Sequence, residues 1–316
     1  MKSFGALAML VTLLAGATLA HGADAAKVSW SKSTEVLQGE VVEIKVSGKD
    51  LAAVEGRMGK EKIYFYPKGA HVFTSLVGAD VEAKPGLAKL FLTLTSHAGA
   101  EQRREIALKI KAKAFHTESF SVPPGFDQMS PQSLEEIRRE QAAFARVFAP
   151  TTRERLWDGP FVRPVPHEAS ASSFGLRRII NGVARSPHSG TDLAAPMGTE
   201  VMASNHGRVV LVGNFFFAGG SVVLDHGGGL FTMYFHLSEL MVEDGAMVKR
   251  GDIIALSGAT GRVTGPHLHW GARLANARID PLALVKKTAN ESAQAQGAKS
   301  APSIMEKEHG TERSAQ

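Results

Sequence analysis

Gly265-Pro266-His267-Leu268-His269-Trp270-Gly271 is the stretch on which the reading of this chain turns. Side chains alternate along an extended strand, so His267 and His269 point the same way and both imidazoles can enter one cleft. Two histidines on one strand face, introduced by Gly-Pro, are a poor way to build an apolar core. Upstream stand His188-Ser-Gly-Thr-Asp192 and Tyr234-Phe-His236. Imidazole nitrogen and carboxylate oxygen are zinc donors, and three protein ligands plus a water make the catalytic arrangement of that ion. The ligand set read from these residues is His188, Asp192 and His269, binding one Zn2+ per chain. Water in the fourth position would have its pKa lowered towards neutrality while the metal polarises a carbonyl. His267 and His236 are then left for acid–base transfer or for hydrogen-bonding a developing oxyanion. Taken singly, His188 or Asp192 is an ordinary loop residue and Tyr234 a core or rim residue. The combination predicts a zinc hydrolase on an all-β domain.

The surrounding sequence supports that fold class. Glu200–Met202, Gly207–Val212, Ser221–Asp225 and Leu230–Phe235 read as strands, with Gly227-Gly-Gly229 as a tight connection. Val248–Gly258 gives a further strand bounded by glycines. Strand density with glycine at the corners predicts a compact, two-sheet antiparallel β domain over residues 157–285, opened by an irregular, proline-laden lead-in. His206 and His226 read as turn residues. The aromatics of Gly213-Asn-Phe-Phe-Phe-Ala-Gly-Gly220 could form a groove wall or fill a hydrophobic gap, and both readings stay open.

Towards the N-terminus, residues 26–120 alternate short β-branched runs with Gly, Pro and Asp turns, which predicts a small β-sandwich. Its strands are read at Val41–Val46, Ile63–Tyr66, Leu87–Leu94 and Ile106–Lys113. Nothing in it looks catalytic; His71, His97 and His116 stand alone. A linker over 121–156 contains an amphipathic helix from about Ser133 to Phe148, capped by Ser130-Pro131, with Leu134, Ile137, Phe144 and Phe148 as its apolar stripe. That helix is expected to dock on one domain or bridge both. After Val285 the chain is rich in Ala, Ser, Gln, Lys and Glu, and residues 286–316 are expected to be a flexible tail.

The chain has 316 residues, of which 44% are hydrophobic and 21% charged, enough to build a real core. A formal net charge of +5 favours anionic partners. No arginine-rich recognition helix accompanies it, so nucleic acid is not an expected partner. There is no cysteine, which leaves His, Asp and Glu as metal ligands. Met1-Lys2, an apolar run from Phe4 to about Ala20 and Ala23-Asp24-Ala25 read as a signal peptide over residues 1–25. The apolar run is short for a membrane anchor. An exported protein is therefore expected, periplasmic, extracellular or wall-associated, the mature chain a monomer without stable membrane insertion.

Taken together, these motifs resemble the lysostaphin-type, LytM-like zinc metallopeptidases. The pattern is His188-x-x-x-Asp192, Tyr234-x-His236-Leu237 and Gly265-x-His267-x-His269, flanked by Gly190–Gly198, Val248–Gly258 and Ile279-Asp-Pro-Leu282. The resemblance covers about Pro166 to Leu284. It implies His188, Asp192 and His269 as zinc ligands, His236 and His267 as catalytic histidines, and peptidoglycan peptides as substrate. The N-terminal β domain looks like the accessory domain of some relatives. Asn205-His206-Gly207 departs from the Asp-Gly found in many of them, which touches a turn and not the metal. Three other readings share parts of this pattern. A catalytically silent wall-binding protein or regulator would keep the metal and release nothing. A biotinyl or lipoyl carrier needs a lysine at an exposed hairpin tip, and Gly258-Ala-Thr-Gly261 has none. Hydrolysis of another polymer in the same groove remains compatible with the residues.

Overall fold

The computed structural model describes residues 29–30, 34–123, 129–149, 152–166 and 173–300; the expected signal peptide and residues 301–316 lie outside them. The N-terminal half is two facing sheets. One runs Ser29–Trp30, Val41–Ser47, Val72–Gly78, Tyr66–Pro67; the other runs Glu35–Leu37, Glu101–Lys111, Gly86–Ser96, Leu51–Met58, Glu61–Tyr64. Alternation decides what lies between them. Ile44, Val46 and Val77 from the first sheet meet Leu90, Leu92, Ile106 and Leu108 from the second. Leu51–Met58 and Val72–Gly78 escape the sequence reading because charge and glycine interrupt the first, while Thr74 and Ser75 sit buried in the second.

The helix α1 spans Pro131–Phe148, and the Ser130 side chain caps it by accepting the Ser133 N–H at 3.1 Å. It docks on the C-terminal half through aromatic rings. Phe144 lies 5.0 Å from Phe215 and 5.7 Å from Phe235, and Phe148 lies 5.3 Å from Phe231. Ile137 is buried, whereas Leu134 stays exposed at the free end of the stripe.

In the C-terminal half, Leu230–Leu240 is the spine. Its first part pairs with Gly219–Asp225 on one side and Leu268–Leu274 on the other, and its second part with Ile253–Ser257. The two expected layers are thereby joined into one nine-stranded hydrogen-bonded sheet folded over a core that includes Tyr234, Trp270, Val222, Ile254 and Val201. Gly227, Gly228 and Gly229 all have positive φ (82°, 61° and 76°), the left-handed backbone that makes the connection before Leu230 tight.

The two halves share a third core. Val41 and Leu76 of the N-terminal half pack with Trp157 and Phe161 of the lead-in and with Leu230, Leu274, Ile279 and Leu284. Beside it, Arg278 donates to both carboxylate oxygens of Asp80, at 2.9 and 2.7 Å, and to Glu82 at 2.7 Å. Thr117–Phe120 also pairs, in parallel, with Arg177–Ile180.

The chain does not loosen at Lys286. Helix α2 spans Pro281–Ser300, so residues 286–300 of the expected tail are helical. Leu284 anchors its start in the shared core, and the buried Thr288 hydroxyl accepts the Phe161 N–H at 3.0 Å and donates to Leu284 O at 2.9 Å. Few large apolar residues follow, but Ala, Lys, Gln and Glu are good helix formers and continue a helix already nucleated.

Burial alone would raise the Asp80 carboxyl, yet the hydrogen bonds from Arg278 outweigh it and hold the group below the usual carboxylate range. A lowered carboxyl contributes stability above its unfolded pKa and loses it as pH falls through the folded value. Arg278→Leu should lower the unfolding free energy by about 1–2 kcal/mol at neutral pH, a buried-pair loss discounted for partial exposure. The gap to wild type, read by denaturant titration, should close below about pH 4.

Candidate metal centre

Strand Gly190–Leu193 pairs antiparallel with Leu268–Leu274 so that Asp192 stands directly opposite His269. The carboxylate Oδ1 lies 3.0 Å from His269 Nδ1 and 3.2 Å from His188 Nε2, and those two nitrogens are 2.9 Å apart. All three ligand atoms lie within 4.8 Å of one another. His188 reaches this point from the loop before the strand. Its Nδ1 is 3.0 Å from Ser173 O; a carbonyl can only accept, so the proton sits on Nδ1 and the Nε2 lone pair faces the other donors. Ser173 also accepts the Asp192 N–H through Oγ at 2.9 Å, so one serine holds both residues.

The protonation states suit a cation. For Asp192, the effect of burial is overcome by His188 and His269, whose ring nitrogens lie 3.2 and 3.0 Å from the carboxylate and hold it far below its ordinary range. Burial pushes the His269 imidazole down. Two imidazoles and a carboxylate whose ligand atoms converge form the donor set of a catalytic zinc site and fit that ion.

His236 comes by a less regular route. On an unbroken strand it would share the core face with Tyr234. Its φ of +66° and the register shifts around Gly220 and Leu237 turn it out of the core instead. Its ring lies 4.8 Å from that of His267 and 6.0 Å from that of His269. Nδ1 donates to Thr260 O at 3.0 Å, leaving Nε2 as acceptor, and burial pushes the imidazole down to about 4. His267 precedes the strand and bridges to Gly258; it is not a strand residue as expected, but it reaches the same place. Its Nδ1 lies 2.9 Å from Gly265 O and its Nε2 3.8 Å from Asp192 Oδ1. All five residues singled out in the sequence thus meet in one site.

Several contributors carry no signal in the sequence. Phe235 stacks on His269 with centroids 5.5 Å apart and planes at 5°, and Phe144 of α1 backs it. The loop aromatics divide their roles. Phe215 packs on α1, the Phe216 N–H is held by Glu140 at 2.6 Å, and Phe217 stays partly exposed beneath Arg262. His226, read as a turn residue, is fully buried. Its nitrogens meet His206 O and Thr232 Oγ1, each at 2.7 Å, and burial pushes it down to about 4. It is a satisfied core histidine.

Gly190 leaves room for the metal-centre imidazole. A Cβ there would meet His269 Nε2 at 2.5 Å and Trp270 O at 2.8 Å. Gly190→Ala should therefore displace His269, lower stability by about 1–3 kcal/mol, and reduce zinc retained after dialysis. Thermal melting and metal analysis of the same preparation would check both.

The model of "Peptidase family M23" matches residues 186–281, the segment carrying all five residues. Peptidoglycan DD-endopeptidase ShyA of Vibrio cholerae is 50% identical over 101 residues, 32% of this chain and 24% of that protein. DD-carboxypeptidase/endopeptidase Mpg of Neisseria meningitidis is 35% identical over 127 residues, 40% of this chain and 29% of that protein. The chain thus spans about a quarter of the length of these curated relatives. A crystal structure from Pseudomonas aeruginosa, assigned to peptidase M23, superposes with a TM-score of 0.57 at 27% identity, covering 79% of this chain and 95% of that one. That likeness extends beyond the matched segment into the N-terminal sheets. Through the strands and loops that carry its metal centre, the chain belongs to peptidase family M23, the lysostaphin- and LytM-like metallopeptidases.

Proposed function

We propose that this protein is a zinc-dependent endopeptidase that hydrolyses peptide cross-links or stem peptides of bacterial peptidoglycan. The observation that carries the reading is the convergence of His188 Nε2, Asp192 Oδ1 and His269 Nδ1, with the imidazoles of His236 and His267 beside them. Two curated relatives bear names of peptidoglycan or DD-peptidases, which supports this substrate class. His188, Asp192 and His269 would hold the ion. Zinc bound there supplies a Lewis acid for the scissile carbonyl and acidifies water at neutral pH.

The rest falls to the side chains. His236 and His267 each commit Nδ1–H to a backbone carbonyl, Thr260 O and Gly265 O, which fixes ring orientation and leaves Nε2 as the proton acceptor. A neutral Nε2 can take a proton from water. Once protonated, it can donate to an oxyanion or to the leaving amine. Desolvation of His236 favours its neutral, accepting form. The net charge of +5 suits an anionic wall, and residues 1–25 read as an export signal, so action outside the cytoplasm belongs to the same proposal.

Purified sacculi digested with the mature protein should yield new amino and carboxyl ends, abolished by a zinc chelator and restored by zinc; mass spectrometry of the fragments names the bond. One bound zinc with no new ends would mean a silent wall-binding protein or another substrate. His269→Ala should lose both zinc and activity. His236→Ala and His267→Ala should each keep the metal while kcat/KM falls by about 10²–10⁴-fold, which metal analysis beside kinetics distinguishes from a ligand loss.

A further inference from the structure

Away from the metal centre, the five-stranded N-terminal sheet and the segment Arg153–Arg155 line a concave cleft of about 1190 Å³. Register places its chemistry. Arg57 stands directly opposite Lys62 on one neighbouring strand and Phe91 on the other. In the adjoining row Glu55 stands opposite Tyr64 and Thr93, and Thr93 opposite Arg103. Alternation puts these side chains on the outer face, since Val54, Ile63 and Leu92 are buried beneath the other.

Two features of this face are unfavourable for the fold taken alone. Like charges directly opposite across a ladder destabilise a sheet, and Arg57 faces Lys62. Phe91 is exposed at 43% next to them. Internal pairing relieves only part of the cleft: Glu55 binds Arg153 at 3.1 Å and Arg155 lies over the Trp157 ring at 4.9 Å. Arg57, Lys62 and Arg103 form no ion pair among the described residues. Unrelieved cations, aromatic rings and a concave shape together match an extended anionic strand with apolar faces, and a flat bilayer would not enter the concavity.

We propose that this cleft binds the carboxylate-bearing glycopeptide strand of the wall, at a site separate from the metal centre; the choice of ligand rests on the function proposed above. Arg57 and Lys62 pair with stem-peptide carboxylates, the guanidinium in bidentate fashion. Phe91 and Tyr64 take the apolar faces of sugar or peptide. Such a site holds the enzyme on its polymer without touching the bond that is cut.

The test is Arg57→Glu in the full mature chain, with binding read by co-sedimentation with sacculi in the presence of chelator. A glutamate there would face Lys62, so the melting temperature should hold or rise, which separates lost binding from lost folding. The apparent Kd for native sacculi should rise about tenfold, while kcat/KM of the zinc-loaded enzyme on a short soluble peptide stays unchanged. Sacculi whose carboxylates have been converted to amides should bind wild type as weakly as native sacculi bind the variant. Unchanged binding by Arg57→Glu overturns the proposal, and so does undiminished binding of wild type to amidated sacculi. So does an equal effect of the substitution on anionic phospholipid vesicles or duplex DNA, which would mark a general polyanion face. Sacculi that bind through Arg57 but are never cut would retire the endopeptidase reading and leave the cleft standing.

Discussion

Asp192 opposite His269 is the constraint on which the site depends, and it is set by packing. On strand Leu268–Leu274, Trp270 is wholly buried beside Tyr234, its cross-strand partner, while the next pair along, Phe235 and His269, faces the other side. A slip of one residue would turn the imidazole into the apolar core and expel the indole. The core therefore fixes where a metal ligand points. No loop could hold His269 against Asp192 with comparable force, because a loop lacks the ladder and the buried ring that oppose a slip.

Around this fixed pair the remaining groups arrive by weaker devices, each with its own anchor. Ser173 ties His188 and the Asp192 backbone together. A bulge and a left-handed residue aim His236, and Thr260 O holds its ring. Phe235 and Phe144 support the face of His269 that the donors do not use. Orientation of each ring is thus settled by a partner outside the donor set, as metal and catalytic sites require.

These differences explain what could be read in the sequence. His188, Asp192 and His269 are legible because their chemistry is unusual in combination and their spacing follows simple strand geometry. The gathering of His236 and His267 with them is legible as a pattern, but not the route, because a positive φ on a histidine and a bridge outside a strand leave no periodic trace. The sandwich is legible where alternation is clean, as in residues 106–111, and obscure at Val72–Gly78, where Thr74 and Ser75 are buried on opposite faces of the strand. Helix α2 is obscure for another reason. Its segment lacks an apolar stripe, and its anchoring depends on Leu284 and Thr288 meeting a core assembled from distant residues.

The shared core of Val41, Leu76, Trp157, Phe161, Leu230, Leu274, Ile279 and Leu284 has a wider consequence. Family likeness is recorded over residues 186–281, yet the surface that segment needs covered is supplied by residues as far away as Val41. The segment that the family model matches and the body that buries its flank therefore have different boundaries. A gene fragment trimmed to the first would inherit the ligands but leave an oily flank where the N-terminal sheet had been. The N-terminal sheet thus contributes to the interior of the half that carries the metal centre.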